Sequence, residues 1–157
     1  MNKDQRKTSV ELTKEQYEVL MNALQIAGSV YGIMGDMVDE KYKNQSSELD
    51  KLESYLLEHA DELGLKDMVD IFREEKVVDE KYLNKAIGDL QEYEEYSFWD
   101  NLARKLASRD MLQRFGEKKL RAMSDREYIN AEYPIEDEYH NEFGKYGLDR
   151  IKIGKEK

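Results

Sequence analysis

The stretch Thr13-Lys-Glu-Gln16-Tyr17-Glu-Val19-Leu20-Met21-Asn-Ala-Leu24-Gln-Ile26-Ala-Gly28-Ser-Val30-Tyr31-Gly32-Ile33-Met34-Gly35-Asp-Met37-Val38 decides the fold class. Thr13 with Gln16 three residues on is a capping box, a pairing that satisfies two otherwise orphan amides at a helix start. From there Tyr17, Leu20, Met21, Leu24, Tyr31, Met34 and Val38 follow one helical stripe, and Val19, Ile26, Val30, Ile33 and Met37 follow a second. A helix that is apolar all round is a buried one, so the stretch predicts the central helix of a bundle. Gly28, Gly32 and Gly35 each cost about 1 kcal/mol against Ala inside a helix. Their presence predicts close approach of another backbone, or of a ligand. Val19 to Gly35 carries no charged side chain, but it includes Asn22, Gln25 and Ser29, is shorter than a membrane span and has no basic cluster beside it. A membrane helix is not expected.

Outward from this helix the chain reads as further amphipathic helices. Ser46-Ser47 is the expected start of a second, with Leu49, Leu52, Leu56, Ala60 and Leu63 at spacings of three or four and Gly64 as its stop. Met68-Val-Asp-Ile71-Phe72 fits two turns of helix, with Val77-Val78 closing them or beginning a link. Asp79 precedes a helix that carries Tyr82, Leu83, Ala86, Leu90 and Tyr93, and the acidic run Glu92 to Glu95 is expected to end it. Ser97 then caps a new helix whose seam is Phe98, Leu102, Ala103, Leu106 and Ala107, up to a connection near Gly116. Ser124 with Glu127 is a second capping box. Pro134, the only proline, is expected to kink or restart that helix, and Gly147-Leu148 to end it. No strand alternation is sustained and no repeat appears.

The resulting expectation is an all-α, single-domain bundle of five to seven helices over residues 13–151, with an unstructured N-terminal tail over 1–12 and a basic tail over 152–157. Its 157 residues fit one domain. Leu, Ile, Val and Phe make up 35 of them, close to the level at which disorder is expected. Zero Cys excludes disulfides, thiolate metal sites and Cys nucleophiles. With a polar start that lacks the apolar core of a secretory signal, it fits a cytoplasmic protein.

Phe98-Trp99 with Leu102-Ala103, Leu106-Ala107 and Arg109-Asp110, then Arg114-Phe-Gly116, Met123-Ser-Asp125, and Tyr139 with Glu142-Phe143 and Gly147-Leu148 resemble a family of short acidic bacterial proteins of uncharacterised function. The resemblance covers mostly residues 97–151 and implies a bacterial, cytosolic, helical protein. It implies no activity, cofactor or catalytic residue.

The net charge of −10 is unevenly placed. Residues 36–103 hold 20 acids and 8 bases, residues 104–126 hold 3 acids and 8 bases, and residues 127–144 hold 6 acids and no Lys or Arg. Acidic and basic helices lying against each other are the simplest use of such a mosaic. A phosphate-binding strip is confined to Arg104, Lys105, Arg109, Arg114, Lys118, Lys119 and Arg121, and overall negative charge opposes it. Nucleic acid is therefore not an expected partner. The opposite reading, an acidic nucleic-acid mimic presenting Glu92, Glu94, Glu95, Glu132, Glu136, Asp137 and Glu138, is diluted by 25 basic residues.

No Walker or Gly-x-Gly-x-x-Gly loop is present, and no Ser sits in a nucleophile elbow. No catalytic residue and no cofactor is predicted. A helical di-metal centre requires Glu-x-x-His pairs, and Asp137-x-x-His140 is the one plausible pair, with His59-x-x-Glu62 reversed. Asp137 and His140 are thus the metal candidates, though solvated side chains are the simpler reading. Tyr93, Tyr96 and Trp99 lie in a run of aromatics beside charge, the composition that interfaces favour. Arg109-Asp110 reads as an ion pair. The function expected is a non-catalytic protein-interaction module for a protein partner or a second copy, with Tyr93, Tyr96, Trp99 and Arg109 as interaction candidates. The alternative is a small-molecule-binding or metal-dependent helical enzyme.

Overall fold

The computed structural model describes residues 8–152. Five α-helices dominate it: α1 (Lys14–Met37), α2 (Lys43–His59), α3 (Glu80–Phe115), α4 (Glu117–Leu120) and α5 (Asp125–Tyr146), with one two-stranded ribbon, β1 (Val69–Phe72) and β2 (Glu75–Val78). The fold is all-α, as expected, and no described helix is long and apolar enough to cross a membrane. The described residues fall into two compact units, which divide between Gln91 and Glu92. Of the expected tails, residues 1–7 and 153–157 lie outside the described residues. Residues 8–12 form no helix or strand, and Leu12 packs against the core.

In the first unit the Thr13 box starts α1 as its sequence requires: the Gln16 amide donates to Thr13 Oγ1 at 3.3 Å and the Thr13 amide to Gln16 Oε1 at 2.9 Å. Tyr17, Met21 and Leu24, one helical turn apart, are buried with Leu57 and Ala60 of the second helix and with Leu65, Met68 and Val78. The Tyr17 hydroxyl donates to the Leu56 carbonyl and thereby avoids an unmet polar group at the core's edge.

The second stripe of α1 is not buried. Val19 is 70% and Met37 81% exposed, and Ile33 is exposed as well, because α2 covers one side of α1 only. The glycines also diverge from expectation. A Cβ at Gly28 would meet nothing within 4 Å and one at Gly32 only Ser46 Oγ at 3.9 Å, whereas one at Gly35 would lie 2.9 Å from Lys43 Cγ and 3.3 Å from the Lys43 amide nitrogen. Only Gly35 sits at a close backbone approach.

Helix α2 begins at Lys43 rather than at Ser46, because a 3-10 turn at Glu40–Tyr42, capped by Asp39 accepting from the Lys41 amide at 2.9 Å, leads straight into it. Gly64, at φ +71°, ends the following 3-10 turn. Residues 69–78 form strands, not helix. Val69 pairs with Val78 and Phe72 with Glu75, leaving Arg73-Glu74 as a two-residue turn with φ of +51° and +71°. Both-positive φ matches the twist of an antiparallel ribbon.

Helix α3 runs unbroken through the expected stop at Glu92 to Glu95 and the expected cap at Ser97. No Gly or Pro intervenes between Gly88 and Gly116, and Ser97, inside the helix, accepts from Asn101 Nδ2 at 3.0 Å instead of capping. Gly116, at φ +73°, breaks the helix where predicted. The second unit is then a helical hairpin. Trp99 meets Phe143, Asp100 meets His140 and Ser108 meets Glu132, so α5 returns antiparallel to α3. Ala103, Ala107 and Met111 are fully buried along one seam with Phe143 nearly so, while Phe98, assigned to that seam from sequence, is exposed. The Ser124 box starts α5, Gly147 at φ +54° ends it, and Pro134 lies within it without ending it.

Candidate functional site

The residues singled out from sequence fall on both flanks of the second unit's hairpin. On one flank Asp110 of α3 accepts from the Tyr139 hydroxyl of α5 at 2.5 Å, and Arg109 donates to Tyr139 Oη at 3.0 Å and to Asp110 Oδ1. The expected Arg109-Asp110 ion pair is therefore present, closed across the hairpin by a tyrosine to which the sequence assigned no role. The Tyr139 hydroxyl and the neighbouring guanidinium hold the Asp110 carboxyl below its ordinary range. Burial and then Asp110 raise Tyr139 above its own.

A carboxyl whose folded value is depressed adds stability that is present above its unfolded value, roughly 3.9, and is lost as pH falls through the folded one. Tyr139→Phe is expected to cost about 1 kcal/mol at neutral pH. Its gap to wild type narrows on acidification, and urea titrations at several pH values measure both. On this same flank Trp99 is half-buried: its ring lies 5.3 Å from that of Phe143, and Nε1 donates to Glu95 at 2.6 Å. Trp99 thus serves the hairpin's packing more than its surface.

The other flank is more open. Tyr93, Tyr96, Asp100 and Arg104 recur at spacings of three and four along α3, and Ile129, Tyr133, Glu136 and His140 do so along α5, which places each set on one helix face. Tyr93 is 63%, Tyr96 66% and Tyr133 67% exposed. In the middle of this flank the ring of His140 stands between two carboxylates, its Nε2 lying 3.5 Å from Glu136 Oε1 and 3.8 Å from Asp100 Oδ1. All three ligand atoms lie within 4.8 Å of one another, and all three residues are half-buried. Arg104, one turn on from Asp100, bonds the other oxygen, Oδ2.

The metal candidates read from sequence are thereby half corrected. His140 belongs to a cluster that could hold a cation, but Asp137 points away, exposed, and accepts from Asn141 Nδ2 at 3.1 Å. A residue three positions before His140 and one four positions before it both neighbour it on a helix; here Glu136 faces α3 and Asp137 does not. Asp100 comes from a helix far away in sequence and no spacing could reveal it. The other histidine, His59, bonds Glu62 at 2.9 Å in the first unit and gathers no third ligand among the described residues.

The first unit also holds an open cavity of about 310 Å³ beside α1, walled by Val19, Met21 and Tyr82 with Glu15, Glu18 and Lys85 at its polar edge. It lies toward the start of α1 and does not involve the glycines that suggested a ligand. No family model, no curated protein and no solved structure matches the chain.

Proposed function

We propose that this chain is a non-catalytic protein-interaction module and that its partner is a second copy, docked on the open flank of the α3–α5 hairpin. The observation that carries this reading is the thinness of the hairpin's core. Among the described residues of the second unit four apolar ones are buried, Ala103, Ala107, Met111 and Phe143, two of them only alanines, while Tyr93, Tyr96, Ile129 and Tyr133 stay exposed. Two helices with a narrow seam leave apolar surface that a further pair of helices would cover, and four-helix bundles are built in this way.

Charge favours a copy of the chain as that pair. The segment 104–126 carries eight bases to three acids and the segment 127–144 six acids and no Lys or Arg. In a two-fold arrangement the α5 acids of one copy oppose the α3 and α4 bases of the other, twice over.

Sedimentation equilibrium of the full chain over a wide concentration range tests this. The expected result is a dimer that Tyr96→Glu combined with Tyr133→Glu weakens by at least about tenfold, since a carboxylate in the covered patch would be stranded without a partner, and that added salt also weakens. A monomer at every concentration overturns the reading, as does a dimer indifferent to both substitutions.

A further inference from the structure

We infer that Asp100, Glu136 and His140 form a binding site for one first-row divalent cation of the zinc class. The three donors belong to one hairpin, so the inference does not need the second copy, although the cluster lies on the flank proposed to receive it. An ion pair alone accounts for their arrangement poorly. A histidine that merely bonded a carboxylate would sit at about 2.8 Å from it, as His59 does with Glu62 at 2.9 Å. Nε2 of His140 stands back from both oxygens, at 3.5 and 3.8 Å, with neither hydrogen-bonded. Donors bound at about 2.0–2.1 Å to a tetrahedral ion are roughly 3.4 Å apart. Nε2 already stands near that spacing from both carboxylates, and the three donor atoms lie within 4.8 Å of one another, so side-chain rotation without movement of either helix would bring them around one ion.

The supports of the donors agree with that use. Arg104 occupies Asp100 Oδ2 and leaves Oδ1 turned to His140, as an outer partner does when it orients a ligating carboxylate. Glu136 and His140 lie one turn apart on α5, which needs no loop to hold them. The three side chains are half-buried and not sealed, so a fourth position remains open to water. One imidazole nitrogen with two carboxylates selects Zn²⁺, Co²⁺ or Mn²⁺ over the all-oxygen preference of Ca²⁺ and Mg²⁺.

The test uses the full chain, stripped with a chelator and titrated with ZnCl₂ by calorimetry, then with CoCl₂ followed by visible absorption. The expected result is one equivalent of zinc, and cobalt bands that show a nitrogen-containing site of low coordination number. His140→Ala is expected to reduce affinity by more than the 10–100-fold that loss of an outer partner costs, Asp100→Asn to do likewise, and His59→Ala to change nothing. Circular dichroism reports whether each variant is folded. Should His140→Ala unfold, His140→Asn with Asp100→Asn decides the matter. Absence of binding at millimolar zinc overturns the inference, and so does binding that survives loss of His140 and Asp100, which would be the response of a diffuse acidic surface.

Discussion

Leu57→Ala is expected to lower the stability of the chain by about 3 kcal/mol, within the roughly 2–5 kcal/mol range for emptying a buried leucine site. Leu57 is 1% exposed and lies where α2 meets Tyr17, Met21 and Leu24 of α1. Its neighbours are held by two long helices and by the turn through Leu65, so the vacated volume closes poorly and the cavity persists. Leu52, on the same helix and 42% exposed, supplies the control. Leu52→Ala removes the same atoms with no sealed cavity and is expected to cost under about 1 kcal/mol. Urea denaturation followed by far-ultraviolet circular dichroism measures both, and equal losses in the two variants would mean that the packing described around Leu57 is wrong.

The second large effect separates two glycines of one helix. At Gly28 an added methyl meets open space, so Gly28→Ala is expected to stabilise by about 1 kcal/mol, the intrinsic helix preference undiminished by contact. At Gly35 the same Cβ falls 3.3 Å from the Lys43 amide nitrogen as well as 2.9 Å from its flexible Cγ. The side chain can move aside, but the backbone at the start of α2 cannot do so cheaply. Gly35→Val adds two branches at this contact and a stiff χ1, and is expected to destabilise by about 3 kcal/mol. Thermal denaturation resolves the pair: for a chain of this size a change of 1 kcal/mol moves the midpoint by roughly 2–4 °C. The two variants should therefore shift in opposite directions.

What the sequence disclosed depended on whether the signal was local. Both capping boxes and the stops at Gly64, Gly116 and Gly147 rest on interactions within a few residues, and the structure has all of them. The full burial of α1 was misread because an apolar surface states a need, not the presence of a partner. The division at Ser97 was misread because serine favours both a cap and a mild helix interior, and only the absence of a breaker beside it tells them apart. The ribbon escaped notice because its turn is Arg73-Glu74, without the Asn-Gly or Asp-Gly that marks such turns. In the site, His140 was legible as a donor type. Its partners were not, since Glu136 and Asp137 differ only in which way they face and Asp100 belongs to another helix.

That turn has a consequence for how the chain comes apart. Two non-glycine residues at positive φ cost roughly 1–2 kcal/mol each, and Ile71 and Phe72 beside them are exposed, while the ribbon is anchored at its base by buried Val78 and by the Asp79 amide donating to the Met68 carbonyl at 2.8 Å. Cohesion thus resides at the root and strain at the tip. Opening is expected to start at the turn and run backward, well below the scale of global unfolding, so in hydrogen exchange the amides of residues 71–76 should be among the first of the ribbon to exchange, and limited digestion with a basic-residue protease should cut after Arg73 while the rest of the first unit stays folded.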